Sequence, residues 1–200
     1  MFVQVIEGKT SDPDTVHRQL EIWERDLKPG AIGYLGSTGG CTSQGDCILL
    51  VRFESRDHAM RNSDRPEQAT WWEQTERCFD GPVRFHDTDD VQIMGHGTLE
   101  EAHFVQAMEG RVTDVRRAHE IETDADAVLA EERPEMLGSV TAFFDDGEFT
   151  ELAYFTDESA ARAGERKELS AAAAASFAAW TETMPVDRFL DLDQPWMMTA

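Results

Sequence analysis

The sequence predicts an α+β protein in which one β-α-β-β-α-β unit is used twice. The first observation is a repeat near the start of each half, where Phe2–Asp12 (FVQVIEGKTSD) and Phe104–Asp114 (FVQAMEGRVTD) share Phe, Val, Gln, Glu, Gly and Asp at an offset of 102 residues. The second is a repeat near the end of each half, where Arg84–Asp89 and Arg188–Asp193 align at an offset of 104. A fixed-period repeat indicates one structural unit used more than once, so we expect two similar halves in one chain.

The first copy alternates strand and helix signals in this order. Ser11–Asp14 predicts a helix start, because Pro near the first helical position and acidic residues in the first turn are typical of one. Pro29-Gly30 ends that helix, and a second helical region is interrupted at Asn62-Ser63 and begins again at Pro66. The predicted elements are strands over 2–7, 31–36, 47–53 and from 83, a Gly- and Ser-rich hairpin loop over 36–46, and helices over 12–28 and 55–78.

The second copy repeats the order. Asp145–Gly147 lies between two apolar runs, and Asp-Gly in that context is a strong hairpin signal. The predicted elements are a strand from 103, a helix from 114, strands over 136–144 and 149–155, a further helix and a strand near 187. This is the ferredoxin-like order, with helices on one face of each sheet. We therefore expect unit 1 over 1–95, a linker over 96–102 and unit 2 over 103–200, with the two bare sheet faces packed together in an eight-stranded arrangement.

Composition limits the class of protein. A chain of 200 residues with 40% hydrophobic and 29% charged residues is typical of a globular protein. The net charge of −22 repels phosphate and anionic lipid, so nucleic-acid and membrane-surface partners are not expected. No apolar run approaches the roughly 20 residues of a membrane span, and no signal peptide is visible, so we expect a cytoplasmic protein.

The three cysteines carry no metal-site spacing. Cys41 and Cys47 flank the first hairpin loop and Cys78 stands alone. Free thiols fit a cytoplasmic protein, and a Cys41–Cys47 disulfide is the alternative. His96, Glu100 and His103 form a weak metal-like trio in the linker, and we predict no metal site.

The doubled unit resembles a known superfamily. The segment 61–68 (RNSDRPEQ), followed by Trp71-Trp72 and by Phe85–Asp87, is similar to antibiotic biosynthesis monooxygenase-like proteins. The tandem order resembles a single-chain version of the dimeric α+β barrel. The resemblance implies an intramolecular barrel with a pocket between the sheet and the helices of one unit. The superfamily includes cofactor-free monooxygenases, haem-degrading enzymes, haem peroxidases and members without a known reaction.

The candidate site lies in the first copy, because its polar and aromatic residues on the second helix and the fourth strand are not matched in the second copy. The predicted ligand-binding residues are Gln4, Asn62, Arg65, Gln68, Trp71, Trp72 and His86. The resemblance implies binding of a small, largely apolar aromatic molecule, with monooxygenase-type chemistry that needs no cofactor. One alternative is a non-enzymatic module with a closed pocket, in which the tryptophans fill core and His86 is solvated. The other is a haem-binding protein, for which the resemblance implies an axial histidine on the second helix, where His58 lies before the break.

Two further expectations concern symmetry. The chain is expected to be a monomer with pseudo-twofold symmetry, with a dimer as the alternative. His17 and His119 occupy the same repeat position on the first helix of each copy, which indicates either paired sites or two solvated helix faces.

Overall fold

A computed structural model describes all 200 residues and divides them into two compact units. Unit 1 contains Met1–Asp89 together with Pro195–Ala200, and unit 2 contains Asp90–Gln194. The division differs from the predicted boundaries at 95 and 103. Residues 90–95 follow the last strand of the first copy but belong to unit 2, and residues 195–200 follow the last strand of the second copy but belong to unit 1.

Unit 1 is an antiparallel five-stranded sheet with helices. Its elements are β1 (Phe2–Lys9), α1 (Pro13–Ile22), a π-helical turn (Trp23–Leu27), a 3-10 turn (Lys28–Gly30), β2 (Tyr34–Cys41), β3 (Asp46–Phe53), α2 (Arg56–Ser63), α3 (Pro66–Glu76), β4 (Arg84–Thr88) and β10 (Trp196–Thr199). The strand order is β10-β2-β3-β1-β4. The four strands other than β10 have the ferredoxin-like order, as predicted.

Unit 2 repeats this plan. Its elements are β5 (Val91–Gly95), a 3-10 turn (Leu99–Glu101), β6 (Phe104–Arg111), α4 (Val115–Glu132), β7 (Met136–Phe143), β8 (Glu148–Phe155), α5 (Glu158–Glu165), α6 (Ala171–Thr183) and β9 (Val186–Leu192). The strand order is β5-β7-β8-β6-β9. The predicted α+β class with two ferredoxin-like units in tandem is therefore confirmed.

Each sheet has one strand more than predicted. β5 follows β4 directly in sequence but pairs with β7, and β10 follows β9 but pairs with β2. The predicted total of eight strands is therefore wrong, and the structure has ten. The two extra strands occupy equivalent edge positions, so each half of the chain gives its last strand to the other unit.

The first hairpin is longer than predicted. Gly36–Cys41, expected to form a loop, continues β2, and the turn is confined to 42–45. Gly45 and Gly147 close the equivalent turns of the two units with φ of 81°. A side chain is strained in this left-handed region, and at Gly45 a Cβ atom would also lie 2.0 Å from the Thr10 carbonyl oxygen.

The ends of the two hairpins are closed differently. Cys41 and Cys47 face each other across β2 and β3 and are joined by a disulfide, which was the alternative expectation. The equivalent pair in unit 2 is Phe143 opposite Phe149, both buried. Cys78 is a free, half-buried thiol.

The first helices of the two units begin alike and end differently. Asp12 accepts a hydrogen bond from the Thr15 backbone N–H at 3.1 Å, and Asp114 accepts one from Arg117 at 3.0 Å. These caps satisfy one of the free N–H groups of each helix start. α4 continues as regular helix to Glu132, whereas α1 passes into the π-helical turn at Trp23. None of the helices is both long and apolar enough to cross a membrane.

Candidate ligand-binding site

Unit 1 encloses a small cavity, which we call the inner cavity, between its helices and its sheet. Its volume is about 60 Å³. It is lined by side chains of the sheet, of the helices and of the exchanged strand, namely Gln4, Ile6, Leu20, Trp23, Tyr34, Ser37, Leu49, Val51, Phe53, Ala59, Asn62, Ser63, Gln68, Trp71 and Met198. Of the seven predicted site residues, four lie here: Gln4, Asn62, Gln68 and Trp71.

The sheet wall follows from strand alternation. Gln4 and Ile6 lie two apart on β1, and Leu49 and Val51 lie two apart on β3, so all four present side chains to one face. Met198 of β10 completes this wall. The last strand predicted from the sequence is the one near 187, so the sequence analysis did not name Met198 as a site residue.

Two tryptophans form much of the helical wall. The Trp23 indole Nε1 donates a hydrogen bond to Gln68 Oε1 at 2.9 Å, and the Trp71 indole Nε1 donates to the Gln19 carbonyl at 2.8 Å. Trp23 lies at the start of the π-helical turn, and such turns occur frequently at functional sites. Because Gln68 uses its oxygen to hold Trp23, its amide nitrogen is the group it can offer to a ligand.

The side-chain amide of Asn62 is hydrogen bonded to backbone groups of two segments. Its Nδ2 donates to the carbonyls of Ile32 at 2.7 Å and His58 at 2.9 Å, while its Oδ1 accepts from the Ile32 N–H at 3.1 Å. Arg65 Nη1 also donates to this oxygen, at 3.3 Å. These bonds use both ends of the amide, so Asn62, although predicted as a ligand-binding residue, is already engaged with the backbone.

Three of the predicted residues do not line the cavity. Arg65 donates to the Leu27 carbonyl at 3.1 Å and pairs with Glu67 at 2.9 Å, so it fastens the break between α2 and α3 to the end of the first helical segment. Trp72 packs edge-on against Phe85, with ring centroids 4.9 Å apart. Trp72 on α3 therefore contributes to packing and does not line the inner cavity.

His86 lies on the opposite sheet face. It pairs with Val5 across β1 and β4, whereas the neighbouring β1 residues Gln4 and Ile6 line the cavity. Its Nδ1 lies 2.9 Å from the Arg84 guanidinium. Strand alternation therefore separates this histidine from the predicted site.

Gln4 has a counterpart in the second unit, Gln106, which the sequence repeat at the offset of 102 already indicated. Gln4 Nε2 donates to Asp87 Oδ1 at 3.0 Å, and Gln106 Nε2 donates to Asp191 Oδ1 at 2.8 Å. The same cross-strand bond in both units is part of the shared framework. It also explains why these two aspartates recur.

Tyr34 separates the inner cavity from a larger outer cavity of about 420 Å³. The outer cavity is lined by Glu24, Lys28, Pro29, Ala31, Tyr34 and Ala200. The Tyr34 hydroxyl lies 2.8 Å from Ser37 Oγ and 3.4 Å from the Met198 carbonyl oxygen. Tyr34 is the residue common to both cavities.

The inner cavity is uncharged. Its lining contains amides, hydroxyls and apolar groups, with no carboxylate, ammonium, guanidinium or imidazole among them. Burial raises the pKa of Tyr34 to about 12, so its phenol stays neutral and can exchange hydrogen bonds but cannot act as a base near neutral pH. The site therefore favours a neutral ligand.

Unit 2 places acidic residues where unit 1 has two leucines of the inner cavity. Glu122 on α4 and Glu151 on β8 stand at the positions of Leu20 and Leu49, both at the offset of 102. They are 0% and 3% exposed. Burial, and next the charge of Glu151, raises the pKa of Glu122 to about 8, while burial raises the pKa of Glu151 to about 7.

The sequence prediction missed this pair because it looked for polar and aromatic residues of the first copy that the second copy lacks. The available signal was the reverse: two positions that are apolar in one copy and acidic in the other. A charged residue at a core position of a repeat is informative, because buried carboxylates are rare unless they are paired.

The repeated histidines each contact an exchanged strand. The His17 ring stacks on Trp196 of β10, with centroids 4.9 Å apart. His119 Nε2 lies 2.8 Å from Asp90, and its Nδ1 hydrogen bonds to Gln92 of β5. Their shared position is therefore accounted for by packing on the fifth strand of each sheet.

Comparison with solved structures finds matches along the full length. A "putative monooxygenase" from Lactobacillus acidophilus is 14% identical with a TM-score of 0.68, covering 99% of this chain and 93% of the other. A second protein of that name, from Fusobacterium nucleatum, is 8% identical with a TM-score of 0.74, covering 99% and 94%. An "anthrone oxidase-like protein" is 9% identical with a TM-score of 0.66, covering 100% and 91%.

The chain has the tandem α+β fold of these proteins. The resemblance seen in the sequence is thereby confirmed for the fold, which is what a likeness at these identities establishes. No protein-family model matches the chain, and no curated protein sequence matches it.

The haem alternative does not fit the inner cavity. His58, its candidate axial ligand, is not among the lining residues and lies 3.1 Å from Glu54 through Nδ1.

Proposed function

We propose that unit 1 binds a small, neutral, largely apolar aromatic molecule at the inner cavity. The observation that carries the proposal is a cavity walled by tryptophan, phenylalanine and aliphatic side chains, with a few amide and hydroxyl groups and no charge. An apolar lining with few polar groups is typical of small-molecule sites. The π-helical turn that brings Trp23 into the wall supports the same assignment, since unit 2 has regular helix at this point.

Entry requires the inner cavity to open. A volume of about 60 Å³ admits roughly two water molecules, whereas the outer cavity of about 420 Å³ has the size of a small-molecule pocket. Because Tyr34 lines both, we infer that its ring moves aside when a ligand enters. That movement breaks the hydrogen bonds of its hydroxyl to Ser37 and to the Met198 carbonyl.

Two amides would orient the ligand. Gln68 holds Trp23 through its oxygen and offers its Nε2 as a donor. Gln4 binds Asp87 through its nitrogen and offers its Oε1 as an acceptor. A ring system with a carbonyl group that accepts from Gln68 therefore matches the site, and a hydroxyl group on the ring could in addition donate to Gln4.

We extend the proposal to oxygen chemistry without a cofactor. The name of the anthrone oxidase-like neighbour makes anthrone the first compound to test. In the balanced reaction, the ring methylene of anthrone loses two hydrogens and gains one oxygen atom of O₂, and the other oxygen atom leaves as water. Because no base lines the cavity, the acidic methylene group of the substrate would lose its proton to solvent water, and Gln68 Nε2 would stabilise the resulting enolate oxygen.

Binding is tested by filling the cavity in one unit and the matching position in the other. Ala59 lines the inner cavity on α2, and Ala161 is its equivalent on α5, also buried. We expect Ala59→Leu to weaken anthrone binding at least tenfold, measured by quenching of tryptophan fluorescence, and Ala161→Leu to leave it unchanged. Equal loss in both variants, or no binding to the wild-type protein, would contradict the proposal and favour the closed module.

Oxygen chemistry is tested separately with an oxygen electrode and the absorbance of anthraquinone. We expect the wild-type protein to consume one O₂ for each anthraquinone formed, at a rate above that of buffer, and Ala59→Leu to lose this excess. Binding without oxygen consumption would retain the binding site and remove the enzymatic extension.

A further inference from the structure

A polar cluster lies inside unit 2, between α4 and the sheet. Glu122 of α4 and Glu151 of β8 are almost wholly buried. Thr141 of β7 is the cross-strand partner of Glu151, and Ser139 lies two residues away on the same face. The cluster thus combines two carboxylates and two hydroxyls from one helix and two strands.

The oxygens of this cluster are incompletely satisfied. Thr141 Oγ1 donates to Glu122 Oε1 at 2.9 Å. The second oxygen of Glu122, Oε2 of Glu151 and Oγ of Ser139 are buried and make no hydrogen bond of good geometry. Ser139 and the Trp180 indole lie close enough to Glu151 to favour its charged form. Buried polar atoms are nearly always paired, so one carboxylate oxygen without a partner on each of Glu122 and Glu151 indicates that the cluster can take a further ligand.

The charges around the cluster are also unbalanced. The charged groups that act on Glu122 are Glu151 and Asp90, both acidic. A pair of carboxylates without a cation is costly to bury, because the interior cannot solvate the charge. The ligand that resolves this imbalance is positive.

We propose that Glu122, Glu151 and Ser139 form a site for one hard divalent cation such as Mg²⁺ or Mn²⁺. Oxygen-only donors suit these cations, whereas the nitrogen and sulfur ligands typical of zinc and copper are not in the cluster. The burial of the carboxylates favours a single ion over an organic molecule. A double positive charge also equals the charge of the two carboxylates. This site is independent of the ligand proposed for unit 1.

The test uses the full-length protein freed of metal with EDTA and titrated with Mn²⁺ in 150 mM salt, with free Mn²⁺ followed by electron paramagnetic resonance. We expect one tight site per chain, distinct from weak surface binding. Glu122→Gln and Glu151→Gln should each weaken it at least a hundredfold. Asp124→Asn, an exposed acid on the same helix, should leave it unchanged.

A second measurement reports the location of the ion. Tb³⁺ bound next to Glu151 should show luminescence excited through Trp180, and excess Mn²⁺ should quench it. If the Gln variants do not fold, Glu122→Leu with Glu151→Leu serves instead, since it copies the leucines of unit 1. Mn²⁺ binding that is absent from the wild type, or that survives in these variants, would overturn the proposal.

Discussion

Unit 1 has Leu20 on its first helix and Leu49 on the second strand of its hairpin. Unit 2 has Glu122 and Glu151 at the same repeat positions. The surrounding framework is shared, including the helix caps, the hairpin register and the cross-strand Gln–Asp bond. The two interiors have therefore diverged in chemistry while their backbones stayed alike. A duplicated fold leaves each copy free to carry a different site, because function depends on local groups rather than on the fold.

The largest effect is expected from imposing the acids of unit 2 on unit 1. Leu20→Glu with Leu49→Glu would put two carboxylates into a wall built for an apolar ligand. We expect a loss on the order of 6 kcal/mol in the free energy of unfolding at pH 7.5, measured in urea, because neither charge gains a partner. The exposed control Glu21→Gln should change it little. A loss below about 1 kcal/mol would mean that unit 1 tolerates the acidic chemistry and that the comparison has no energetic basis.

A smaller effect is expected from pH on the metal-free protein. The pKa values of Glu122 and Glu151, about 8 and about 7, lie above the ordinary 4.5. The folded state therefore holds protons that the unfolded state has lost. The contribution of these protons to the free energy of unfolding is complete below pH 4.5 and falls as the pH rises towards 8. We expect a decrease on the order of 4 kcal/mol between pH 5 and pH 8.5, measured in urea with EDTA.

The matched variant for this pH effect is Glu122→Leu with Glu151→Leu. Without the two acids, the same pH range should change the free energy of unfolding much less, and the variant should exceed the wild type at pH 8.5 by about 1–4 kcal/mol. Parallel pH curves for the two proteins would show that other groups cause the dependence.

The smallest effect concerns the hairpins. Unit 1 closes its hairpin with the Cys41–Cys47 disulfide, and unit 2 does so with Phe143 and Phe149. A disulfide over a short loop contributes about 2 kcal/mol by restricting the unfolded chain. We expect a reductant to lower the free energy of unfolding of the wild type by about that amount. Cys41→Ser with Cys47→Ser should be insensitive to reductant, and equal sensitivity of both proteins would point to Cys78 instead.

The sequence alone was enough for the repeat, the order of the helices and strands, and four residues of the inner cavity. These rest on local signals, such as the helix start at Asp12-Pro13 and the apolar spacing of the strands. His86 was assigned to the wrong face because the register that pairs it with Val5 is a long-range property. A one-residue difference along a strand moves a side chain to the other side of the sheet.

The exchanged strands could not be predicted for a related reason. Val91–Gly95 and Trp196–Thr199 are short apolar segments, and their local pattern does not say which sheet they join. The backbone contacts of Asn62 could not be predicted either, because its bonds to Ile32 and His58 depend on a loop conformation that the sequence does not display. Its amide is a fastening between segments, which residue type alone does not distinguish from a binding group.

The exchange of the last strand in each half sets an order in time. All strands of unit 2 have been synthesised once Leu192 has been added, whereas unit 1 still lacks Trp196–Thr199. Until then the edge of β2 has unpaired backbone groups, and the cavity lacks Met198. The part of the protein that is made first is thus the part that is finished last, and a released chain that ends before residue 196 would contain all five strands of the second sheet but only four of the first.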